Sequence, residues 1–422
     1  MSSPSSDSTP PTRHRAPVFR RFLRISAPPG AWPQVFALSV TETVSWGILY
    51  YAFAVFLVPM GADLGWSRAQ LTGAFSLALL VAGVAGMPIG RWLDRHGPRP
   101  LMTAGSILAA LLVLAWAGVD RLPLFYAVWA GIGLAMAAVL YEPAFAVVAV
   151  WFPERRSRGH ALTVLTFVGG FASVIFIPLT SWLIDRLGWR PTLVVLAAIL
   201  ALVTIPLHAT VLRPREESGV GRRESGIASP SDSRPPTPDS VFRGRAFWAL
   251  GSAFFLVMAA MVAVTIHLIP YLQERGFSAG FAAGAAGLVG LLALPGRLIF
   301  TPLGSVVPRH VVTALIFALE AAAIVVLVGA DTRFEVGLFV VLFGAGFGAI
   351  TPARAALVAD LYGAVAFGSI SGVLGMFITG ARALAPVGAS ALVAWWGGYT
   401  PVLWFLAALA TVAAGLVLFA DE

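Results

Sequence analysis

The sequence contains no cysteine and unusually little charge. Without cysteine, disulfide bonds, thiolate metal sites and cysteine nucleophiles are all excluded. Charged residues make up 11% of the 422 residues, whereas an average globular protein has about 25%. Apolar residues make up 58%, and the mean hydropathy is +0.86. No water-soluble core can hide that much apolar surface, so most of the chain is expected to lie in lipid.

Signatures of several other protein classes are also missing. There is no lysine, so the net charge of +8 comes from arginine alone, and these arginines fall mostly in loops rather than in a nucleic-acid footprint. The absence of a G-x-x-x-x-G-K-[ST] loop argues against direct drive by ATP. No HExxH motif, dense His/Asp/Glu cluster or nucleophile–base pair is present. We therefore expect no enzyme, no catalytic residue, no metal and no cofactor.

Long charge-free runs recur along the chain. A hydrocarbon core about 30 Å thick needs roughly 20 apolar residues per helix. With turn signals and charges as boundaries, the sequence predicts an all-α membrane protein with twelve transmembrane helices. They cover residues 34–60, 70–92, 100–118, 123–151, 159–184, 191–212, 246–272, 280–303, 310–329, 336–360, 366–394 and 400–420.

The arginines also predict an orientation. If the N-terminus is cytoplasmic, 19 of the 28 arginines lie in the N-terminal tail, the cytoplasmic loops and the central segment, and six lie in the outer loops. Cytoplasmic loops of membrane proteins carry the excess of basic residues. We therefore expect a multi-pass protein of the cell (inner) membrane with both termini in the cytoplasm.

Two polar stretches divide the chain. Residues 1–33 are rich in Ser, Pro and Arg and are expected to form a disordered cytoplasmic tail. Residues 213–245 have the composition of a flexible cytoplasmic linker. They separate a six-helix bundle over 34–212 from a second one over 246–422. This pseudo-symmetric arrangement is typical of secondary transporters, and a monomer is expected.

A charged segment follows the second predicted helix and reads GRWLDRHGPR from Gly90 to Arg99. Gly90 permits close helix approach, and Gly97 permits a positive φ in a tight turn. Asp94 can pair with a nearby arginine or cap the N-terminus of a neighbouring helix.

This segment resembles the G-x-x-x-D-R-x-G-R signature of the major facilitator superfamily, with Pro98 inserted before the last arginine. The resemblance implies two six-helix bundles that rock around a central site. It also implies a gating motif formed by Gly90, Asp94, Arg95, Gly97 and Arg99. The corresponding segment after helix 8, GRLIFTPLGS from Gly296, is degenerate, so the gate is expected to be stronger in the first half.

Further segments resemble the monocarboxylate-porter and oxalate/formate-antiporter-like branch of the superfamily. The drug/proton antiporters differ, because their helix 5 ends in G-P-x-x-G-G, whereas this chain has Gly169-Gly170 and a lone Pro178. That difference disfavours multidrug efflux without excluding it. The segments that carry the resemblance are Asp63-Leu64-Gly65-Trp66-Ser67-Arg68, Tyr141-Glu142-Pro143, Trp151-Phe152, Gly188-Trp189-Arg190, His267-Leu268-Ile269-Pro270-Tyr271 and Gly296-Arg297.

Two arginines inside predicted spans are candidate substrate ligands. The oxalate/formate resemblance implies that an anion is held between Arg297 in helix 8 and a basic residue of helix 11, which Arg382 matches loosely. Their alternative role is to pair with an acid or to extend to the membrane surface. Tyr141 either hydrogen-bonds the substrate carboxylate or packs. Of the two arginines, Arg297 is expected to contribute more to binding.

Three further residues are candidates for proton coupling. Glu142 precedes the helix-kinking Pro143, and a carboxyl group in apolar surroundings can exchange protons near neutral pH. Its alternative is a fixed salt bridge to Arg297 or Arg382. Glu42 either couples protons or forms an ion pair near the inner end of helix 1. His267 is either a proton relay or a solvated residue near the outer end of helix 7.

The other ionisable residues in the spans are expected to be structural. Glu320 belongs to a helix that is peripheral in this fold. Arg354 is expected to pair with Glu320 or Asp360, and Asp360 and His208 are expected at the membrane interface.

The sequence therefore predicts a secondary active transporter of a small organic anion, a mono- or dicarboxylate, that works with protons or by exchange. The first alternative is proton-driven efflux of a drug or metabolite. The second is a non-transporting membrane sensor on the same scaffold, which the intramembrane charges and the lack of a signalling domain disfavour. The expected partners are the small-molecule substrate, protons and the lipid bilayer.

Overall fold

The structure is a computed structural model that describes residues 30–213, 238–304, 306–364 and 366–419. Residues 1–29 of the predicted tail and residues 214–237 of the predicted linker lie outside the described residues. Of the remainder, residues 31–33 already belong to the first helix, and Pro238–Arg243 forms a short helix. Within the described residues every regular element is helical, and twelve helices are long and apolar enough to cross a membrane. The predicted all-α, twelve-span architecture is confirmed.

We number these helices α1 to α12. The face of the bundle that holds Gly30 and the end of α12 is called the terminal face, and the opposite one the distal face. The bounds are α1 (Ala31–Leu64), α2 (Arg68–His96), α3 (Pro98–Ala117), α4 (Leu122–Trp151), α5 (Arg155–Leu187), α6 (Trp189–Thr210), α7 (Arg245–Glu274), α8 (Ala279–Leu303), α9 (Arg309–Val328), α10 (Arg333–Tyr362), α11 (Phe367–Trp396) and α12 (Tyr399–Leu418), with a short helix, Pro238–Arg243, before α7.

The turn between α2 and α3 is shorter than the sequence predicts. Helix α2 continues to His96, and Gly97, with φ of 80°, is the single residue before α3. Most of the segment that was expected to be a loop is therefore the last turn of α2. At the other end of α2, Ser67 and Gln70 form a capping box, with Gln70 N donating to Ser67 Oγ at 3.2 Å.

Three of the first six helices are interrupted near their middles, whereas α7 to α12 are continuous within their bounds. Helix α1 contains a π-helical turn, Gly47–Tyr51. Helix α4 breaks at the extended Leu140, because the ring of Pro143 clashes with the helical carbonyl four residues earlier. Helix α5 is interrupted after Gly169 and resumes at Ala172. Interrupted helices at membrane depth require protein or water around the freed backbone groups.

The hydrophobic packing joins the two groups of six helices on one side only. One core connects α7–α12 with the terminal-face ends of earlier helices, including Leu38, Leu93 and Phe145. A second core fills the distal halves of α1–α6, with Phe53 and Trp129 at its centre. None of the described residues of α7–α12 belongs to this second core. The two halves are thus closed together at the terminal face and share no core toward the distal face.

The closure depends on glycine where α2 crosses α11. A Cβ atom on Gly90 would collide with the carbonyl group of Gly368, and one on Gly372 would collide with the carbonyl group of Gly86. Only glycine permits this backbone approach. The expectation that Gly90 allows close helix packing agrees with this geometry.

Candidate functional site

Asp94 binds the start of α11 on the terminal face. Its carboxylate accepts hydrogen bonds from the backbone N–H of Gly368 at 3.0 Å and of Ser369 at 2.9 Å, and from the Ser369 hydroxyl at 2.6 Å. These donors are free backbone groups at a helix N-terminus, where a negative charge is stabilised. Asp94 therefore caps a helix of the other half, one of the two roles that the sequence left open.

The other residues of the motif lie around this contact. Gly97 adopts the left-handed backbone that the turn requires, and Gly90 lies one turn before Asp94 at the crossing with α11. Arg95 and Arg99 are exposed. Their guanidinium groups form no ion pair within the described part of the chain, so the closure acts through Asp94 and the glycines.

A second contact between the halves surrounds Asp360 near the end of α10. Its carboxylate lies 2.8 Å from Arg155 Nε and 3.6 Å from Arg309 Nε, and it also binds Arg158. Arg158 and Arg309 are buried, as is the Asp360 side chain. Asp360 lies near the end of α10, as predicted, and three arginines from α5 and α9 enclose its carboxylate.

Glu142 forms an ion pair with Arg354 that links α4 to α10. The Arg354 side chain is 7% exposed and that of Glu142 31%. Neither residue has the partner that was predicted for it. Arg354 was expected to pair with Glu320 or Asp360. The salt bridge considered for Glu142 was to Arg297 or Arg382. The break at Leu140 sets the direction of Glu142 at the start of the second segment of α4, and sequence spacing alone does not reveal that break.

Arg297 in α8 is held by backbone carbonyl groups. Its Nε donates to Gly348 O of α10 at 3.2 Å, and its Nη1 donates to Thr166 O of α5. Thr166 O also accepts from Gly170 N at 3.0 Å, at the interruption of α5. The guanidinium group is thus a second donor to this carbonyl of the other half, and no acid among the described residues neutralises it.

Arg382 in α11 is in a different situation. It is half-buried, and it forms no hydrogen bond or ion pair with any described residue. Arg382 and Arg297 both lie within electrostatic range of Tyr51 in α1. The structure therefore brings the two predicted arginines to the same tyrosine between the halves. We call Arg297 and Arg382 the arginine pair.

Tyr141 lies beside the same tyrosine. It is within electrostatic range of Arg297 and Tyr51, and its ring stacks on Phe145 at 5.1 Å. Its hydroxyl group lies against Gly169, at the interruption of α5. Tyr141 thus packs with one ring face, as one of its two predicted roles requires, and its hydrogen bond to a substrate stays a prediction.

Glu42 in α1 is fully buried. Neither of its carboxylate oxygens has a hydrogen-bond partner within the described part of the chain. The ion pair that was one of its two predicted roles is therefore not formed with any described residue. Glu142 lies within electrostatic range of Glu42, so an unpartnered acid of α1 neighbours the paired acid of α4.

His267 lies apart from these acids and from the arginine pair. Its Nδ1 is 3.3 Å from the hydroxyl of Tyr399, and its Nε2 is 3.4 Å from Pro386 O. Pro386 is one helical turn beyond Arg382 toward the distal face. A relay through His267 stays a prediction, and the structure gives it contacts only to α11 and α12.

His208 and Glu320 are both fully buried. His208 lies near the end of α6, with its ring nitrogens 2.8 Å from Ser106 Oγ and 3.0 Å from Thr41 Oγ1, and its place at the membrane interface stays a prediction. Glu320 contacts Gly346 of α10, and both of its carboxylate oxygens are unpartnered within the described residues.

Comparison with known proteins identifies the family. The sequence profile of the Major Facilitator Superfamily matches residues 36–386. The chain belongs to the major facilitator superfamily. Monocarboxylate transporter 13 of Rattus norvegicus is 28% identical over 81% of this chain and 77% of its own length. The oxalate:formate antiporter of Oxalobacter formigenes is 25% identical over 54% of this chain and 53% of its own length. The family and these relatives are transporters, not enzymes.

Solved structures of the superfamily share the fold. The E. coli fucose:proton symporter superposes with a TM-score of 0.69 at 17% identity, covering 92% of this chain and 98% of its own. The human organic anion transporter MFSD10 superposes with a TM-score of 0.70 at 18% identity, covering 92% of this chain and all of its own. At these identities the likeness establishes the fold. This chain is therefore a multi-pass membrane transporter of the major facilitator superfamily.

Sequence reasoning missed three residues at the centre of this transporter. Tyr51 lies within electrostatic range of both arginines, Trp46 lies 5.3 Å from Tyr141 between ring centroids, and Arg354 pairs with Glu142. The aromatic residues have no charge to make them conspicuous in an apolar span. Arg354 was visible as an intramembrane charge, but its partner depends on how two helices from different halves cross.

Proposed function

We propose that this protein is a secondary active transporter that carries a small organic anion bearing a carboxylate by alternating access. The observation that supports this is Arg382, a half-buried guanidinium group in a membrane span without a partner among the described residues. A charge at membrane depth costs about 2.5–3.5 kcal/mol on insertion scales. A substrate carboxylate would offset that cost when it binds.

The sequence suggested that Arg297 contributes more to anion binding than Arg382, whereas the geometry favours Arg382. Arg297 already donates to two backbone carbonyls, from Gly348 and Thr166, whereas Arg382 donates to no described residue. A planar guanidinium fork matches a carboxylate. In this proposal Arg382 is the first anion ligand and Arg297 adds its positive charge.

Proton coupling is the favoured drive, and Glu42 is its carrier in this proposal. An isolated buried carboxylate is far more stable with its proton than without it. Glu142 is the less suitable carrier in this state, because its carboxylate is engaged in the ion pair with Arg354. Exchange of one anion for another remains the alternative, and it would leave Glu42 without a role in the cycle.

The closed terminal face and the arginine distribution together suggest a direction of opening. If that face is cytoplasmic, the structure is closed to the cytoplasm and its halves part toward the outside. We propose that the protein lies in the cell membrane with both termini in the cytoplasm and works as a monomer, with each half supplying part of one central site.

Calorimetric titration tests the anion site. Acetate, L-lactate, oxalate and benzoate are titrated into purified wild-type protein and into Arg382→Gln, Arg382→Lys and Arg186→Gln variants. A charge-assisted hydrogen bond is worth about 1.5–3 kcal/mol, so Arg382→Gln should weaken binding of the preferred carboxylate at least about tenfold. Arg382→Lys keeps the charge and should retain part of the affinity.

Arg186 is exposed near the distal end of α5, so Arg186→Gln is the matched control and should bind as the wild type does. Wild-type affinity in Arg382→Gln would contradict the proposal. Binding of cationic drugs or neutral metabolites that is insensitive to this change would favour efflux. Ligand binding without transport in vesicles would favour a sensor.

A further inference from the structure

Four aromatic side chains of the first half form a continuous surface next to the arginine pair. Trp46, Tyr50 and Tyr51 come from α1 and Tyr141 from α4. The ring centroid of Trp46 lies 5.3 Å from that of Tyr50, 6.4 Å from that of Tyr51 and 5.3 Å from that of Tyr141. All four are half-buried. We call this set the aromatic wall.

The π-helical turn of α1 builds the wall. Within it, Ala52 N donates to Gly47 O at 2.8 Å, a spacing of five residues. This wider turn lets Tyr50 and Tyr51 both approach Trp46, whereas a regular α-helix directs residues four and five positions away to different faces. Gly47 lies directly against the ring of Phe176 in α5, which holds the turn in place. Single π-turns of this kind occur mostly at functional sites.

The wall and the arginine pair belong to opposite halves of the molecule. Tyr51 lies within electrostatic range of Arg297 and Arg382, and Tyr141 lies within range of Arg297. The hydroxyl groups of Tyr51 and Tyr141 have no hydrogen-bond partner among the described residues. A ligand between the halves therefore meets ring faces and hydroxyl groups on one side and a free cation on the other.

The site offers one open guanidinium group. Arg297 is engaged by Thr166 and Gly348, so a second carboxylate would have to displace backbone contacts that hold the halves together. A very small acid would reach Arg382 and leave the wall uncovered. Aromatic rings prefer other rings in offset or edge-to-face geometry, and the wall presents several tilted ring planes.

We infer that the substrate is an aromatic monocarboxylate, whose carboxylate binds Arg382 while its ring packs on the aromatic wall. This inference rests on the proposed function, because it assigns a substrate class to the same site. A substrate of this class differs from the dicarboxylates and from the smallest acids, which other carriers would bind.

A matched ligand series tests the inference. Calorimetric titration of wild-type protein compares benzoate with acetate, oxalate, cyclohexanecarboxylate and benzyl alcohol. Burial of a ring in a ring-lined site should make benzoate bind at least about tenfold more tightly than acetate. Benzoate should also exceed cyclohexanecarboxylate, which has a similar size but no π-system, and benzyl alcohol, which has the ring but no charge.

Substitutions in the aromatic wall test whether the wall causes the preference for benzoate over acetate. Tyr50→Leu and Trp46→Leu should reduce the ratio of benzoate affinity to acetate affinity, while Trp395→Leu should leave it unchanged. Trp395 is 79% exposed at the end of α11, so it controls for the loss of an aromatic residue elsewhere. The ratio within each variant is insensitive to a partial loss of folded protein.

The outcomes separate this inference from the proposed function. Equal affinities for benzoate and acetate, both lost in Arg382→Gln, would overturn the aromatic substrate and keep the carboxylate site. Equal affinities for benzoate and benzyl alcohol would overturn the inference by removing the carboxylate contact. Binding of none of the carboxylates would overturn both.

Discussion

At the scale of single residues, three acids in the spans have different surroundings. Glu142 is partly exposed and has an arginine partner, while Glu42 and Glu320 are fully buried and have no partner among the described residues. An unpartnered buried carboxylate is tolerated when it is neutral. Their positions then distinguish them, since Glu42 lies within electrostatic range of Glu142 and Tyr141, whereas Glu320 in α9 contacts Gly346 of α10.

The first prediction concerns proton coupling. Glu42→Gln should abolish accumulation of substrate driven by a proton gradient while exchange of labelled for unlabelled substrate persists, because the amide mimics the protonated acid but cannot release a proton. Both activities are measured in proteoliposomes. Glu320→Gln is the matched control and should accumulate substrate normally. Uphill accumulation by Glu42→Gln at the wild-type level would remove Glu42 from the cycle.

The second prediction concerns the Glu142–Arg354 pair. Loss of one partner of a buried ion pair leaves an uncompensated charge and typically costs about 3–5 kcal/mol. Glu142→Gln and Arg354→Gln should each lower the melting temperature in detergent, and the double variant should lose less than the sum of the two. Strict additivity would show that the two side chains do not interact.

At the scale of helices, the closure of the terminal face depends on how α2 meets α11. Its parts were visible in the sequence as a glycine at 90 and an acid at 94. The prediction that Asp94 caps a helix agrees with its three hydrogen bonds to the start of α11. The partner helix was not predictable, because the crossing of α2 with α11 is a contact between distant parts of the chain.

The third prediction is that Asp94→Asn weakens this closure. The amide keeps one acceptor and loses the charge that favours a helix N-terminus, so the equilibrium should shift toward a state open at the terminal face. The native chain has no cysteine. A single cysteine at Val150, which is buried at the terminal-face end of α4 and lines the same small cavity as Leu93 and Asp94, therefore reports on opening by its labelling rate. The cysteine should react faster in the Asp94→Asn variant than in the same single-cysteine protein with Asp94. An unchanged labelling rate would exclude the gating role.

At the scale of the whole molecule, the sequence was sufficient for the span count and the family. Span length and charge distribution are local properties, which explains why the twelve helices were predicted correctly. The interruptions of α1, α4 and α5 were not predicted, although Pro143 and Gly169-Gly170 lie at two of them. The π-turn of α1 has no residue signature, so the aromatic wall that it builds could not be found from sequence.

The fourth prediction is the topology. A single cysteine at His96, exposed on the terminal face, should react from the cytoplasm, and one at Thr332, exposed on the distal face, should react from outside. A membrane-impermeant maleimide on intact and opened cells distinguishes the two. Seven spans, α3 to α9, lie between these positions, and an odd number of spans puts them on opposite sides of the membrane. Reaction from the same side would therefore contradict the twelve-span count.

Transport itself tests the central claim most directly. Uptake of labelled benzoate, L-lactate and oxalate is measured in proteoliposomes with an inward proton gradient, for the wild type and for Arg382→Gln, with the Arg382→Gln vesicles correcting for passive entry of neutral acid. The account predicts that the wild type takes up at least one of these carboxylates at least about tenfold faster than the Arg382→Gln variant does. Equal uptake of all three by the two proteins would contradict it.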